Sequence, residues 1–395
     1  MLHPARRLPL HGVAAALAAA LALAACSEIS SSFPGMSGPA TQAAPDGVPA
    51  TGDTIGAGPA RIALILPLSS ANGAVPARAM RNAAEMAMAE FNSTELTILV
   101  KDDKGTAEGA TAAAREALSQ GAEAIIGPLF SPSVAAVSSV ARGASKPVVA
   151  FSTDATVAAR GVYLLSFMPQ SDVYRIVSYA AGRGKKAFSA LIPNSAYGNV
   201  AEQAFANAVS AAGGRVVAVQ RYDGTPASAS AAVGRIKGAL AQSDALFIPD
   251  DGNGLPLVAQ ALSQAGVSNK DIQMLGTGVW NEQRVLKSAA VGGGWFSAPE
   301  AGGFQGFSDR YRKRFNSDPT RIATLAYDAT ALAAAMVRMQ GSQRWAETVM
   351  TNPSGFSGQD GVFRFRTDGT NERGLAIYQV GNGSATMVQA APKSF

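Results

Sequence analysis

Two short polar loops carry the residues best suited to chemistry. Pro128-Leu129-Phe130-Ser131-Pro132-Ser133 and Phe151-Ser152-Thr153-Asp154-Ala155-Thr156 each follow an apolar run that reads as a strand. Loops at the carboxyl ends of neighbouring parallel strands meet at one sheet edge, where open α/β sheets bind ligands and helix N-termini offer unpaired N–H groups to anions. Hydroxyls placed there suit a carboxylate. The same residue types also cap structure: Ser131 and Ser133 as helix N-caps, Ser152 and Asp154 in turns, and both readings stand at this level. Asp154 bears on the choice, because its own carboxylate repels a ligand carboxylate unless a cation compensates. Asp250 and Asp251 follow a later strand, where they either pair with a ligand ammonium or are ordinary solvated loop residues. Gly292-Gly293-Gly294 lacks the GxGxxG context of a phosphate loop and is assigned no such role.

Several chemistries are excluded by what surrounds these loops. The only histidines, His3 and His11, lie in an N-terminal segment with a basic start at Arg6-Arg7 and an apolar run from Val13 to Ala25, which reads as a secretory signal. That run is too short for a spanning helix of about 20 residues. Leu23-Ala24-Ala25-Cys26 follows the pattern of a bacterial lipobox, so Cys26, the only cysteine, is expected to be lipidated. The mature chain then has no imidazole and no free thiol, which removes histidine triads, cysteine nucleophiles and His/Cys zinc sites. No Ser-Lys or paired-carboxylate spacing stands out, so no catalytic residue, metal or cofactor is expected. The net charge of +5 falls to +3 without Arg6 and Arg7, and no basic run is interleaved with aromatics, which argues against nucleic acid.

Residues 1–25 form the signal, and residues 26–59 a Ser/Gly/Pro/Ala tether with almost no large apolar side chains. As a coil, its length spans roughly 30 Å r.m.s.. Order begins at Arg61–Leu68, a run suited to a strand buried on both faces. Met80, Ala83, Ala84, Ala87 and Phe91 follow at helical spacing, then a strand at Leu96–Val100, a helix from Ala107 to Ser119, and the strand–helix–strand unit that carries the two loops. The pattern restarts near Leu164 and yields a second α/β array, with Asn194-Ser195-Ala196-Tyr197-Gly198 after its first strand. Strands recurring every 25 to 35 residues imply parallel sheets with right-handed crossovers. Phe304, Phe307, Tyr311 and Phe315 make an aromatic helix stripe read as core. Val362–Arg366 and Leu375–Val380 read as a β-hairpin.

These features resemble the type I periplasmic binding proteins, whose leucine/isoleucine/valine-binding members are the best-known branch. The resemblance rests on Ile65-Leu66-Pro67-Leu68-Ser69, Ile126-Gly127-Pro128 before a Ser-bearing loop, Asn194 to Gly198, and Gly355-Phe356-Ser357-Gly358 followed by Val362-Phe363-Arg364-Phe365. It implies an α/β fold of two lobes, residues 60–168 with 301–350 and residues 169–300 with 351–395, each a mostly parallel sheet flanked by helices. It also implies a ligand cleft in which the loops of Ser131, Ser133, Ser152, Thr153, Asp154 and Thr156 hold a carboxylate while Tyr197 overlies the ligand. Asp251 and, by spacing alone, Trp280 complete the expected set.

Gly127-Pro128-Leu129-Phe130-Ser131, together with the lipobox and tether, looks most like the lipoproteins that activate penicillin-binding proteins. Ser27 behind Cys26 resembles the outer-membrane sorting rule of Gram-negative lipoproteins. The implied function is a non-enzymatic, lipid-anchored regulator on the periplasmic side of the outer membrane, with a peptidoglycan synthase as partner and a small molecule optional in the cleft. The alternative is an amino-acid or other small-solute receptor of an ABC importer.

Overall fold

A computed structural model describes residues 52–395. Cys26, the signal segment and the tether up to residue 51 lie outside the described residues. Among the described residues no helix is long and apolar enough to cross a membrane.

The first lobe opens with β1 (Thr54–Ile55), an edge strand inside the expected tether of residues 26–59, so order begins before Arg61; β2 (Ala60–Leu66), α1 (Ala74–Glu90), β3 (Leu96–Asp102) and α2 (Ala107–Ser119) follow. It continues through β4 (Ile125–Ile126), α3 (Ser131–Gly143), β5 (Val148–Ala150) and β6 (Val162–Leu164). The sheet order is β1-β3-β2-β4-β5-β6, parallel except at the β1 edge. Successive side chains of a strand point to opposite faces. Accordingly Ile62, Leu64 and Leu66 pack into one core layer with α1, while Ala63 and Ile65 pack into the other with α2 and α3. The apolar run thus needs burial on both sides, as its composition predicts. On α1 the residues Met80, Ala83, Ala84 and Ala87 are buried, but Phe91 falls past the last helical residue and is 40% exposed.

The second lobe is built from α4 (Pro169–Gly182), β7 (Ala187–Pro193), α5 (Ala196–Ala211), β8 (Arg215–Tyr222), α6 (Pro226–Leu240), β9 (Ala245–Phe247), α7 (Leu255–Gln264), β10 (Gln273–Gly276), a short α8 (Gln283–Leu286) and β11 (Trp295–Ala298). Ser195 and Thr225 cap α5 and α6 by accepting the backbone N–H groups of Gly198 and Ser228. The chain then returns to the first lobe with α9 (Ala301–Phe315), α10 (Ala323–Met339) and α11 (Glu347–Met350). Phe307 and Tyr311 of the aromatic stripe are buried there beside Leu325 and Ala329 of α10.

The final strands depart from the expected hairpin. β12 (Phe356–Gly358), β13 (Gly361–Phe365) and β14 (Asn371–Arg373) form a separate antiparallel sheet, and Phe363 and Phe365 enter the first lobe's core. β15 (Ala376–Val380) and β16 (Ala385–Gln389) instead complete the seven-stranded second sheet, ordered β16-β15-β11-β10-β9-β7-β8. β13 therefore pairs with β14, not with the stretch after Leu375, which pairs with β11. Residues 351–395, expected wholly with the second lobe, are divided between the two bodies. Gly369 makes this possible: its φ of +86° and missing side chain let the β13–β14 turn lie against the Val162 carbonyl, which a Cβ would approach to 2.2 Å.

Three segments consequently join the lobes: residues 165–168 between β6 and α4, 299–300 between β11 and α9, and 374–375 between β14 and β15. The first and third lie close together. The Ser166 carbonyl accepts from Asn371 Nδ2 at 2.8 Å and from Arg373 Nε at 3.0 Å, and Arg175 Nε donates to the Leu375 carbonyl at 2.8 Å. Multiple short crossovers of this kind are the usual anatomy of a hinge between lobes.

Candidate functional site

The two hydroxyl loops are positioned as expected, at the carboxyl ends of β4 and β5, but their polar groups are largely spoken for. Ser133 is fully buried, with its Oγ 3.4 Å from the Thr106 carbonyl. Ser152, 5% exposed, accepts the Asp154 N–H at 3.1 Å. Asp154 accepts from the Thr156 hydroxyl at 2.6 Å and from the Thr156 N–H at 2.9 Å. Those bonds hold its carboxyl below the usual range, with a smaller contribution from the Ser131 hydroxyl. Ser131 begins α3 without capping it through its side chain, and Thr153 is exposed. Ser131, Ser152, Asp154 and Thr156 are thus brought together, as a self-satisfied turn.

The second-lobe residues separate. Tyr197 shares a 2.6 Å hydrogen bond with Thr277 Oγ1, and burial, then the nearby Asp172, raise its phenol far above the ordinary range. Asp251 closes its own loop: its carboxylate accepts from the N–H of Asn253 at 2.8 Å and of Gly254 at 3.4 Å. Beside it, Asp250 accepts the Tyr222 hydroxyl at 2.5 Å, and burial pushes its carboxyl up. Trp280 is not a cleft residue. It has no exposed surface, donates Nε1–H to the Ile248 carbonyl at 2.9 Å, and packs over Gly276, where a Cβ would meet the indole at 2.1 Å. A flat indole lying on a glycine backbone is an interior arrangement, and spacing along the chain cannot reveal it.

What the structure adds lies at the hinge. A cavity of about 230 Å³ is bounded by Phe167 of the first crossover, Asp172 of α4, Tyr197 of α5, Pro299 of the second crossover, and Arg321 and Arg373. Both lobes and all three crossovers contribute to its wall. Arg321 is held bidentate by Asp360 at 2.7 and 3.0 Å, and Thr324 Oγ1 donates to the same carboxylate at 2.6 Å. The guanidinium carbons of Arg321 and Arg373 lie 4.4 and 4.8 Å from the Phe167 ring centre, within cation–π range. Asp172 has its carboxyl pushed up to about 7, first by burial, against the opposing effects of the Ser297 hydroxyl, the Gly278 N–H and Arg373. Asp328, 3% exposed, is also raised by burial to about 7; its Oδ1 accepts the Gln359 N–H at 2.8 Å. A larger groove, of about 810 Å³, opens beside the hinge between α4, α5 and the β13–β14 turn, with Asp154 and Thr156 on its edge and Arg373 shared with the smaller cavity. None of Phe167, Asp172, Arg321 or Arg373 announces itself in the sequence, since no motif or period links them.

A family profile described as periplasmic binding protein matches residues 59–385. The chain belongs to the periplasmic binding protein family. Among solved structures, a branched-chain amino acid ABC transporter periplasmic ligand-binding protein from Burkholderia xenovorans is 15% identical with a TM-score of 0.66, covering 85% of this chain and 96% of its own. A solute-binding protein of an ABC transporter from Rhodopseudomonas palustris, in complex with 3,4-dihydroxybenzoic acid, is 19% identical with a TM-score of 0.57 over 85% and 97% of the two chains. LivJ, a branched-chain amino acid transporter substrate-binding protein from Streptococcus pneumoniae in complex with isoleucine, is 20% identical with a TM-score of 0.56 over 84% and 99%. At these identities the likeness establishes the two-lobed fold. No match is found among curated protein sequences.

Proposed function

We propose that this periplasmic binding protein is a non-enzymatic receptor for a small organic solute, which it takes up where the lobes meet and delivers to an importer. The observation that carries the reading is the 230 Å³ cavity walled by both lobes and by all three crossovers. A ligand there touches surfaces that move relative to one another on hinge closure, so its binding energy biases the lobe arrangement. The family match and the ligand-bound relatives support this reading over an enzyme. Residues 60–168 with 301–350 serve as one lobe and 169–300 with the β15–β16 end as the other, while the Ser131 and Ser152 loops frame the cleft mouth. Calorimetry of the chain against a panel of amino acids, aromatic acids and neutral solutes tests it. At least one member is expected to bind at micromolar affinity or better, and silence across the panel sinks the receptor reading.

A second reading, a lipid-anchored activator of a peptidoglycan synthase, is favoured by the lipobox-like Leu23-Ala24-Ala25-Cys26 and by Gly127 to Ser131. Retention and stimulation of a periplasmic synthase by the immobilised protein is the outcome it requires.

A further inference from the structure

Arg373 is 4% exposed, and neither of its terminal nitrogens has a hydrogen-bond partner among the described residues. Its Nε is engaged by the Ser166 carbonyl at 3.0 Å. Of the nearby acids, Asp360 is clasped by Arg321 and Thr324, while Asp328 acts on Arg373 through its charge without a hydrogen bond to it and keeps Oδ2 buried without a partner among the described residues. A guanidinium enclosed this way forfeits hydration without recovering it in hydrogen bonds, a cost of kcal/mol scale that a complementary oxyanion removes. The fork of Nη1 and Nη2 matches the two oxygens of a carboxylate, and Arg373 borders the hinge cavity directly.

Resting on the receptor reading above, we propose that the hinge cavity binds a small monocarboxylate, its oxygens paired with Nη1 and Nη2 of Arg373 and its body against the Phe167 ring. This places the carboxylate at the hinge instead of at the Ser131 and Ser152 loops, where Asp154 would repel it. Asp172 faces the same cavity, and around it stand Arg373 from β14, Arg321 ahead of α10, the Tyr197 hydroxyl from α5, Ser297 from β11 and the Gly278 N–H after β10. Because the Ser297 hydroxyl and the Gly278 N–H already serve its oxygens, Asp172 is not left waiting for a ligand ammonium. A bound carboxylate therefore favours protonated Asp172, and affinity rises as pH falls from 8 to 6.

The test is calorimetry on the full chain with butyrate and benzoate, their primary amides, and leucine, at pH 6 and pH 8. The acids are expected to bind at least tenfold more tightly than the amides and more tightly at pH 6. Arg373→Gln is expected to weaken the acids at least fiftyfold, with Arg373→Lys between it and the unaltered protein. Acids and amides binding alike, affinity rising toward pH 8, or affinity indifferent to Arg373→Gln in a variant that melts cooperatively would each overturn the proposal. Should Arg373→Gln not fold, the Lys variant and the pH series decide in its place. Amides or leucine binding while the acids do not overturns the carboxylate site and leaves the receptor reading standing. Failure of every solute, charged or neutral, removes both.

Discussion

The cleft-mouth loops and the hinge cavity are built from the same kinds of group, yet their polar atoms are treated in opposite ways. At the mouth, Ser152, Asp154 and Thr156 satisfy one another within three bonds of 2.6–3.1 Å. At the hinge, both terminal nitrogens of Arg373 are buried and have no hydrogen-bond partner among the described residues, and the same holds for Oδ2 of Asp328 in α10. A closed set of hydrogen bonds gains little from a ligand, because each new bond replaces an existing one. An open set gains the full desolvation cost it has been carrying. Residue type alone points to the hydroxyl-rich loops, whereas the unmet hydrogen-bonding demand lies where the lobes join.

Substitutions sharpen that contrast. Trp280, expected among the ligand residues, is built into the second lobe's interior, so Trp280→Ala should cost about 3–5 kcal/mol of stability. Chemical denaturation measures the loss. A Trp280→Ala protein that is fully stable but deficient in ligand would return Trp280 to the cleft. Next in size is Asp360→Ala, which strips Arg321 and Thr324 of their shared acceptor, whose own side chain has no exposed surface. Arg321 is 41% exposed and recovers part of its hydration, so the expected loss is about 2–3 kcal/mol, below the range for a fully buried pair.

The hinge acids also set a pH dependence. Asp172 and Asp328 titrate near 7 in the folded chain and near 4 when unfolded. The folded state then holds more protons between those values, so their contribution is fully present below about pH 4 and is lost as pH rises through about 7. Thermal unfolding should show lower stability at pH 8 than at pH 5. Asp172→Asn should remove roughly 1–2 kcal/mol of that difference. An unchanged slope in the variant would mean that Asp172 is ionised at little cost, and the hinge would then resemble the mouth.

Much of the fold was legible because its signals are local. The alternation of Ile62, Leu64 and Leu66 against Ala63 and Ile65, and the helical spacing of Met80, Ala83, Ala84 and Ala87, place side chains on the faces they occupy. The swap of strand partners near Gly374 was not legible, since two adjacent β segments with a turn between them read as a hairpin whichever sheet each joins. The hinge site was hidden for a stronger reason. Arg373 meets the Ser166 carbonyl across 207 residues, and its significance lies in bonds it does not make. Trp280 shows the converse, a residue type common in ligand clefts whose position depends on Gly276 and on the Ile248 carbonyl.

The smallest expected effect is the most discriminating. Ser152→Ala removes the acceptor of the Asp154 N–H, a single turn bond in a nearly buried position, and should cost about 0.5–1.5 kcal/mol of stability. Its effect on ligand affinity should be less than twofold, because the hydroxyl is already committed within its own loop. Denaturation and calorimetry on the same preparation separate the two quantities. If Ser152→Ala instead lowers affinity tenfold with stability intact, the loop opens its hydrogen bonds to the ligand when the lobes close, and the closed set seen at the mouth is its resting arrangement. Affinity that depends on Arg373 and not on Ser152 would place ligand recognition at the hinge, with the loops as its frame.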